Sequence, residues 1–132
     1  MKSNYWIIKL IKEYFQNCFR WKQGRQETGY EKMLLLWSKF PVPFDMYLLK
    51  YPEGSEIPPH VDEVKKGKHY RLNIILKSAK EGGVFIVKNC IFETKRIKFF
   101  RPDVSEHSVT KITKGTRILF SLGFILKGEK FE

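Results

Sequence analysis

Residues Tyr51–Val64 read YPEGSEIPPHVDEV. Pro58 and Pro59 fix their own backbone and bias the preceding residues to extended conformations, so the chain enters His60 as a strand-like segment. Asp62 follows at i+2, and on a strand those two positions project from the same face. An imidazole and a carboxylate placed that way can share one ion. The plain alternative is a strand end whose histidine and aspartate have no joint role. With three histidines in the chain, one acid at +2 is an ordinary coincidence, so the segment needs support from elsewhere.

That support lies downstream. His107 is the natural third ligand. Two imidazoles and a carboxylate on one side of a metal form a facial triad, which leaves coordination positions open and suits non-haem Fe(II). Zinc sites usually carry more His or Cys, so zinc is the second choice. Ten residues after His107, Arg117 interrupts the apolar run TRILFSLGFIL, Thr116–Leu126. Alternation puts Arg117 with Leu119 and Ser121 on one face, opposite Thr116, Ile118 and Phe120. A cation there is costly unless paired. A ligand carboxylate would satisfy it through a bidentate pair; a salt bridge at the strand end, just past Gly115, would do so within the protein.

Around these residues the chain reads as short strands. They cover 33–38, 47–51, 70–77, 84–88, 91–94, 96–100, 107–112 and 116–126, with turns at Pro41–Pro43, Gly82–Gly83, Asn89 and Gly115. That punctuation predicts a β-sandwich or barrel, and no strand–helix alternation points to a parallel sheet. Residues 3–19 carry apolar side chains at helical spacing, which predicts one helix in front, either packed outside a sheet or serving as a basic amphipathic membrane or partner helix. Residues 21–32 read as a polar loop.

The 132 residues suit one domain, and 42% hydrophobic content with 11 Phe, 6 Tyr and 3 Trp is enough for a packed core. Cys18 and Cys90 form no zinc or disulfide pattern, which fits a reducing compartment. No signal-peptide pattern or membrane span is apparent. The expectation is a cytoplasmic protein (host cytoplasm if phage-encoded) without a membrane partner. The net charge of +11 favours an anionic partner, whether nucleic acid, acidic peptide or dicarboxylate.

The ordered set H-x-D … H … R, with Tyr51, Gly54 and Ile57 before it and EGGVF (Glu81–Phe85) between, resembles the Fe(II)/2-oxoglutarate-dependent oxygenases. It looks most like the prolyl-hydroxylase branch and its compact phage and bacterial members. The likeness spans about residues 45–126. It implies a mainly β fold, a double-stranded β-helix (a cupin-like jelly-roll of eight strands), with one N-terminal helix packed on the larger sheet. Residues 1–40 would be helix and lead-in strand, and 41–132 the catalytic core. The resemblance implies that His60, Asp62 and His107 hold Fe(II), and that Arg117, helped by Tyr51, holds the distal carboxylate of 2-oxoglutarate. More loosely, Arg71 and Asn73 would approach that co-substrate; Arg71 paired to Asp103 or Glu63 is the structural alternative. The implied activity is O2-dependent hydroxylation of an unidentified substrate (a protein side chain, nucleic acid or small molecule) with decarboxylation of 2-oxoglutarate to succinate, leaving room for ascorbate as a reductant. The alternative is a non-catalytic cupin-like module that binds metal or nucleic acid.

Two further stretches bear on partners. Lys66 and Lys68, in the basic loop after Asp62, either meet an anionic substrate or cap a solvated hairpin. His69 is a fourth-ligand candidate or a solvated loop histidine. TKRIKFFR (Thr94–Arg101) interleaves basic and aromatic residues, as single-strand nucleic-acid binders do, and equally as a strand with one wet face does.

Overall fold

A computed structural model describes residues 4–24 and 28–127. The apolar periodicity of the N-terminus becomes helix α1, Tyr5–Asn17. Ten strands follow: β1 (Trp21–Gln23), β2 (Glu31–Ser38), β3 (Phe44–Tyr51), β4 (Ile57–His60), β5 (Lys68–Lys77), β6 (Phe85–Val87), β7 (Phe92–Glu93), β8 (Ile97–Phe100), β9 (His107–Val109) and β10 (Arg117–Leu126). All their pairings are antiparallel. They form a seven-stranded sheet, β1-β2-β3-β10-β5-β8-β7, and a three-stranded sheet, β4-β9-β6. The chain is thus a mainly β double-stranded β-helix with one helix.

Strand β10 is the spine of the large sheet, paired to β3 on one side and β5 on the other. Its burial alternates strictly from Arg117 to Gly123, as the period-2 reading requires. The face holding Arg117, Leu119, Ser121 and Gly123 turns toward the small sheet. Tyr51, Ile57, Val109, Ile112 and Leu119 pack into the core there, and Phe100 is also fully enclosed.

The architecture departs from expectation in three places. The segment read as a polar loop begins with the edge strand β1, paired to β2; three residues are too few to show a period. Among the described residues the strands number ten; the eight read from the sequence lack β1, at the edge of the large sheet, and β4, which carries His60. The helix does not pack broadly on the outside of that sheet, since none of its residues is buried. It touches the sheet through Tyr14, whose ring stacks on Trp37 at 5.9 Å and whose hydroxyl accepts the Trp37 backbone N–H at 3.2 Å. Trp37 lies opposite Asp45 in the β2–β3 register, so Tyr14 approaches from the concave side. Among the described residues, no helix is long and apolar enough to cross a membrane.

Candidate metal centre and co-substrate cavity

Strand β4 ends at His60, which pairs directly with His107 of β9. The two rings lie 4.2 Å apart. Asp62 lies past the strand end, not within it, so a shared strand face is not what brings it to His60. Its position is set instead by its backbone N–H, which donates to Pro102 O at 2.7 Å. One ligand atom from each of His60, Asp62 and His107 falls within 4.8 Å of the others. Asp62 faces both imidazoles, with Oδ1 3.5 Å from His60 Nε2 and Oδ2 3.4 Å from His107 Nε2.

The two histidines are oriented alike. His60 Nδ1 donates to Pro58 O and His107 Nδ1 to Ser105 O, each at 2.9 Å. Carbonyls only accept, so each Nδ1 carries the proton and each Nε2 presents its lone pair to the centre. Phe100 and Phe85 shield His107, at ring distances of 5.2 and 6.2 Å.

One short turn organises much of this. Ser105 N–H closes onto Arg101 O, and Arg101 grips Asp103 through Nε at 3.3 Å and Nη2 at 2.7 Å. Burial alone would raise the Asp103 carboxyl pKa, but hydrogen bonds from Arg101 and from the His69 backbone hold it below its ordinary value. Pro102 thereby meets Asp62 while Ser105 meets His107. Asp103→Asn should therefore loosen both ligands and lower metal affinity by about 10- to 100-fold, the usual effect of losing an outer-shell partner. Titration with Co(II) reads this directly; affinity equal to wild type would mean that the turn holds its shape without the carboxylate.

The His–Asp–His group opens on a cavity of about 300 Å³. Arg117, Tyr51, Arg71 and Asn73 line it, while Lys66 and Lys68 do not. Arg117 is 2% exposed, and its guanidinium lies over the Tyr51 ring at 5.0 Å. Burial pushes its pKa down, with Tyr51 opposing that shift. Burial likewise pushes the Tyr51 phenol well up, so the hydroxyl stays protonated. Among the described residues, no carboxylate forms a salt bridge with Arg117. The strand-end salt bridge weighed from sequence is absent from that set.

Arg71 has protein partners, but not those weighed from sequence. Gly123 sits between Arg71 and Asp45 in the sheet register. A Cβ on Gly123 would collide with the Arg71 guanidinium, so only glycine lets the side chain cross β10. Arg71 Nη2 then reaches Asp45 Oδ1 and Nη1 reaches Ser121 Oγ, both at 2.8 Å. Ser121 in turn donates to Asn73 Oδ1 at 2.6 Å. Gly123→Ala should displace this pair and destabilise the fold by about 1–3 kcal/mol. Urea denaturation checks it: an unchanged midpoint would show that the side chain finds an equivalent route.

His69 is neither a metal ligand nor a solvated loop residue. It lies in β5, half-buried, and Arg71 Nη2 lies 3.4 Å from its Nε2. Burial, then Arg71, pushes its pKa down. Sequence reading also missed Tyr30, which stacks on Tyr51 at 5.0 Å and walls the cavity beside Lys32. Its ring occupies the space a side chain at Gly24 would need, so a Gly–x₅–Tyr pattern was the only available signal.

No protein-family model matches the chain, and no curated protein sequence does. Solved structures do match in fold. A prolyl-4-hydroxylase from Pseudomonas putida superposes with a TM-score of 0.60 at 11% identity, over 92% of this chain and 84% of its own. The cupin domain of Schizosaccharomyces pombe Cnp3 gives 0.57 at 16% identity, over 82% of this chain and 69% of its own. A predicted oxalate decarboxylase from Thermotoga maritima gives 0.53 at 20% identity, over 74% and 81% respectively. The chain therefore has a cupin-type double-stranded β-helix, a scaffold shared by enzymes and other proteins. At such identities the likeness is one of fold.

Proposed function

We propose that the protein is an Fe(II)- and 2-oxoglutarate-dependent oxygenase. The observation that carries this reading is Arg117: a buried guanidinium, without a salt-bridging carboxylate among the described residues, in the same cavity as a His–Asp–His group. A metal site alone would fit many cupins. A metal site with a buried cation facing the same space calls for a ligand that is anionic at one end and chelating at the other.

The donor set fits the metal. Two oriented imidazoles and one carboxylate on one side match the facial geometry preferred by non-haem Fe(II) and leave the other side open. When bound, the iron supplies dioxygen activation. His60, Asp62 and His107 hold it; their hydrogen-bonded rings and anchored backbone keep the lone pairs convergent. Arg117 receives the far carboxylate of the co-substrate, and Tyr51 supports the guanidinium from beneath. The neutral phenol keeps negative charge away from that carboxylate. Phe85 and Phe100 keep water from the His107 side. The overall reaction is R–H + 2-oxoglutarate + O2 → R–OH + succinate + CO2, in which the keto acid and the substrate each supply two electrons.

Many such enzymes turn over 2-oxoglutarate slowly without a prime substrate, so the expected result is Fe(II)-dependent succinate release by the protein alone. Chelation should stop it. Metal binding without any succinate release, whatever substrate is offered, would instead favour a non-catalytic cupin-like module.

A further inference from the structure

The two sheets are unequal, and the inequality leaves a groove. The small sheet has three strands and the large one seven. The concave face of β2 therefore overhangs, with Tyr14 stacked on one of its residues. Three depressions of about 300, 350 and 310 Å³ occupy this region. They adjoin one another: Tyr47 walls all three, Asp45 and His69 are common to the first and second, and Leu34 and Trp37 to the second and third.

The groove alternates aromatic rings with cations. Lys32 Nζ stands over the Tyr47 ring at 5.5 Å, and Lys39 Nζ over Trp37 at 6.0 Å. Lys22 lines the far end. On the opposite rim, the loop from Asp62 to β5 contributes Val64 to the second depression and carries exposed Lys65 and Lys66. The acidic lining residues are already engaged: Asp45 with Arg71, Asp62 with the two histidines. The wall also holds two ring nitrogens, Trp37 Nε1 and His69 Nδ1, without a hydrogen-bond partner.

We propose that this groove binds single-stranded nucleic acid and delivers it to the metal centre, so that the prime substrate belongs to that class. Bases extend the Tyr14–Trp37 stack and pack on Tyr47 as Lys39 and Lys32 swing from those rings to the phosphates, with Lys22 at the far end. Aromatic platforms between cations suit a strand whose bases are unpaired, because every base offers a face and every linkage a charge. An acidic peptide would satisfy the lysines but would make no use of the ring faces that those lysines leave. The net charge of +11 adds long-range attraction of the same sign. This inference rests on the oxygenase reading only for the word substrate; the binding stands apart from it.

The test is fluorescence anisotropy with metal-free protein and a labelled 12-nucleotide single strand across a salt series. Binding should weaken with salt. Lys32→Ala and Lys39→Ala should each flatten the log–log slope by about 0.7, the value for one phosphate contact on a single strand. An abasic strand of equal length should bind about tenfold or more weakly, and Trp37→Leu should erase most of that difference. Equal affinity for the abasic strand, an acidic peptide bound as tightly through the same lysines, or lysine variants with an unchanged slope would each overturn the proposal. Strand binding without succinate release would sink the oxygenase reading and leave the groove intact. Succinate release without strand binding would do the reverse.

Discussion

Arg117→Met should move two measurements in opposite directions. Affinity for 2-oxoglutarate should fall by about 30- to 1000-fold, because a charge-assisted bidentate contact contributes roughly 2–4 kcal/mol once its partner is desolvated. Iron affinity should hardly change, since Arg117 is not one of the three grouped ligands. The co-substrate-free protein should become more stable, by about 1–3 kcal/mol, because methionine fills similar space without a buried cation. Thermal melts with and without 2-oxoglutarate read both effects: the variant should melt higher alone and gain less from the ligand. Arg117 is 2% exposed, and a guanidinium kept there at a cost to the empty fold is the mark of a residue retained for binding. A variant that melts lower and binds 2-oxoglutarate normally would make Arg117 a structural element instead.

The second large effect concerns the metal ligands. His60→Ala or Asp62→Ala should reduce Fe(II) affinity by at least about a hundredfold, more than an outer-shell change does, and abolish succinate release. The two should differ in stability. Asp62 lies past the end of β4 and faces both imidazoles, so its removal should disturb the sheet little. His60 pairs with His107 across the small sheet and takes part in ring contact, so its loss should lower the melting temperature as well. Co(II) absorption and a thermal melt on each variant separate these outcomes. Retained Fe(II)-dependent turnover in either would remove the triad as the reactive centre.

The sequence made some of these residues visible and hid others, for physical reasons. Arg117 stands out because a polar residue in an apolar, alternating run costs free energy that something must offset, whereas His107, in the polar stretch DVSEHSVTK, is suggested only as a third ligand for His60 and Asp62. Arg117 was therefore legible without knowing what lies opposite. The partner of Arg71 was not. Asp103 and Glu63 looked natural, but the partner is Asp45, set by a register in which Gly123 stands between them. Asp103 belongs to Arg101. The helix was legible as a helix because its period is local. The face of the sheet it approaches was not, since that depends on one contact between Tyr14 and Trp37. The groove was the least legible feature. Lys32, Trp37 and Tyr47 share a face only because β2 lies beside β3 with a register shift between Leu34 and Leu36. Strict alternation would have put Lys32 and Trp37 on opposite sides.

The direct pairing of His60 with His107 has a consequence for folding. The small sheet has few strands and short ones, and its β4–β9 seam joins segments far apart in sequence. Closing such a loop costs chain entropy before any contact is gained. An ion held by both histidines acts as a clasp on that seam. Without it, the three-stranded sheet should be the first part of the molecule to open, and its backbone amides the first to exchange with deuterium. With it, the same amides should rank among the slowest. On the oxygenase reading proposed above, iron supply would then govern how long the chain survives in the cell as well as whether it turns over.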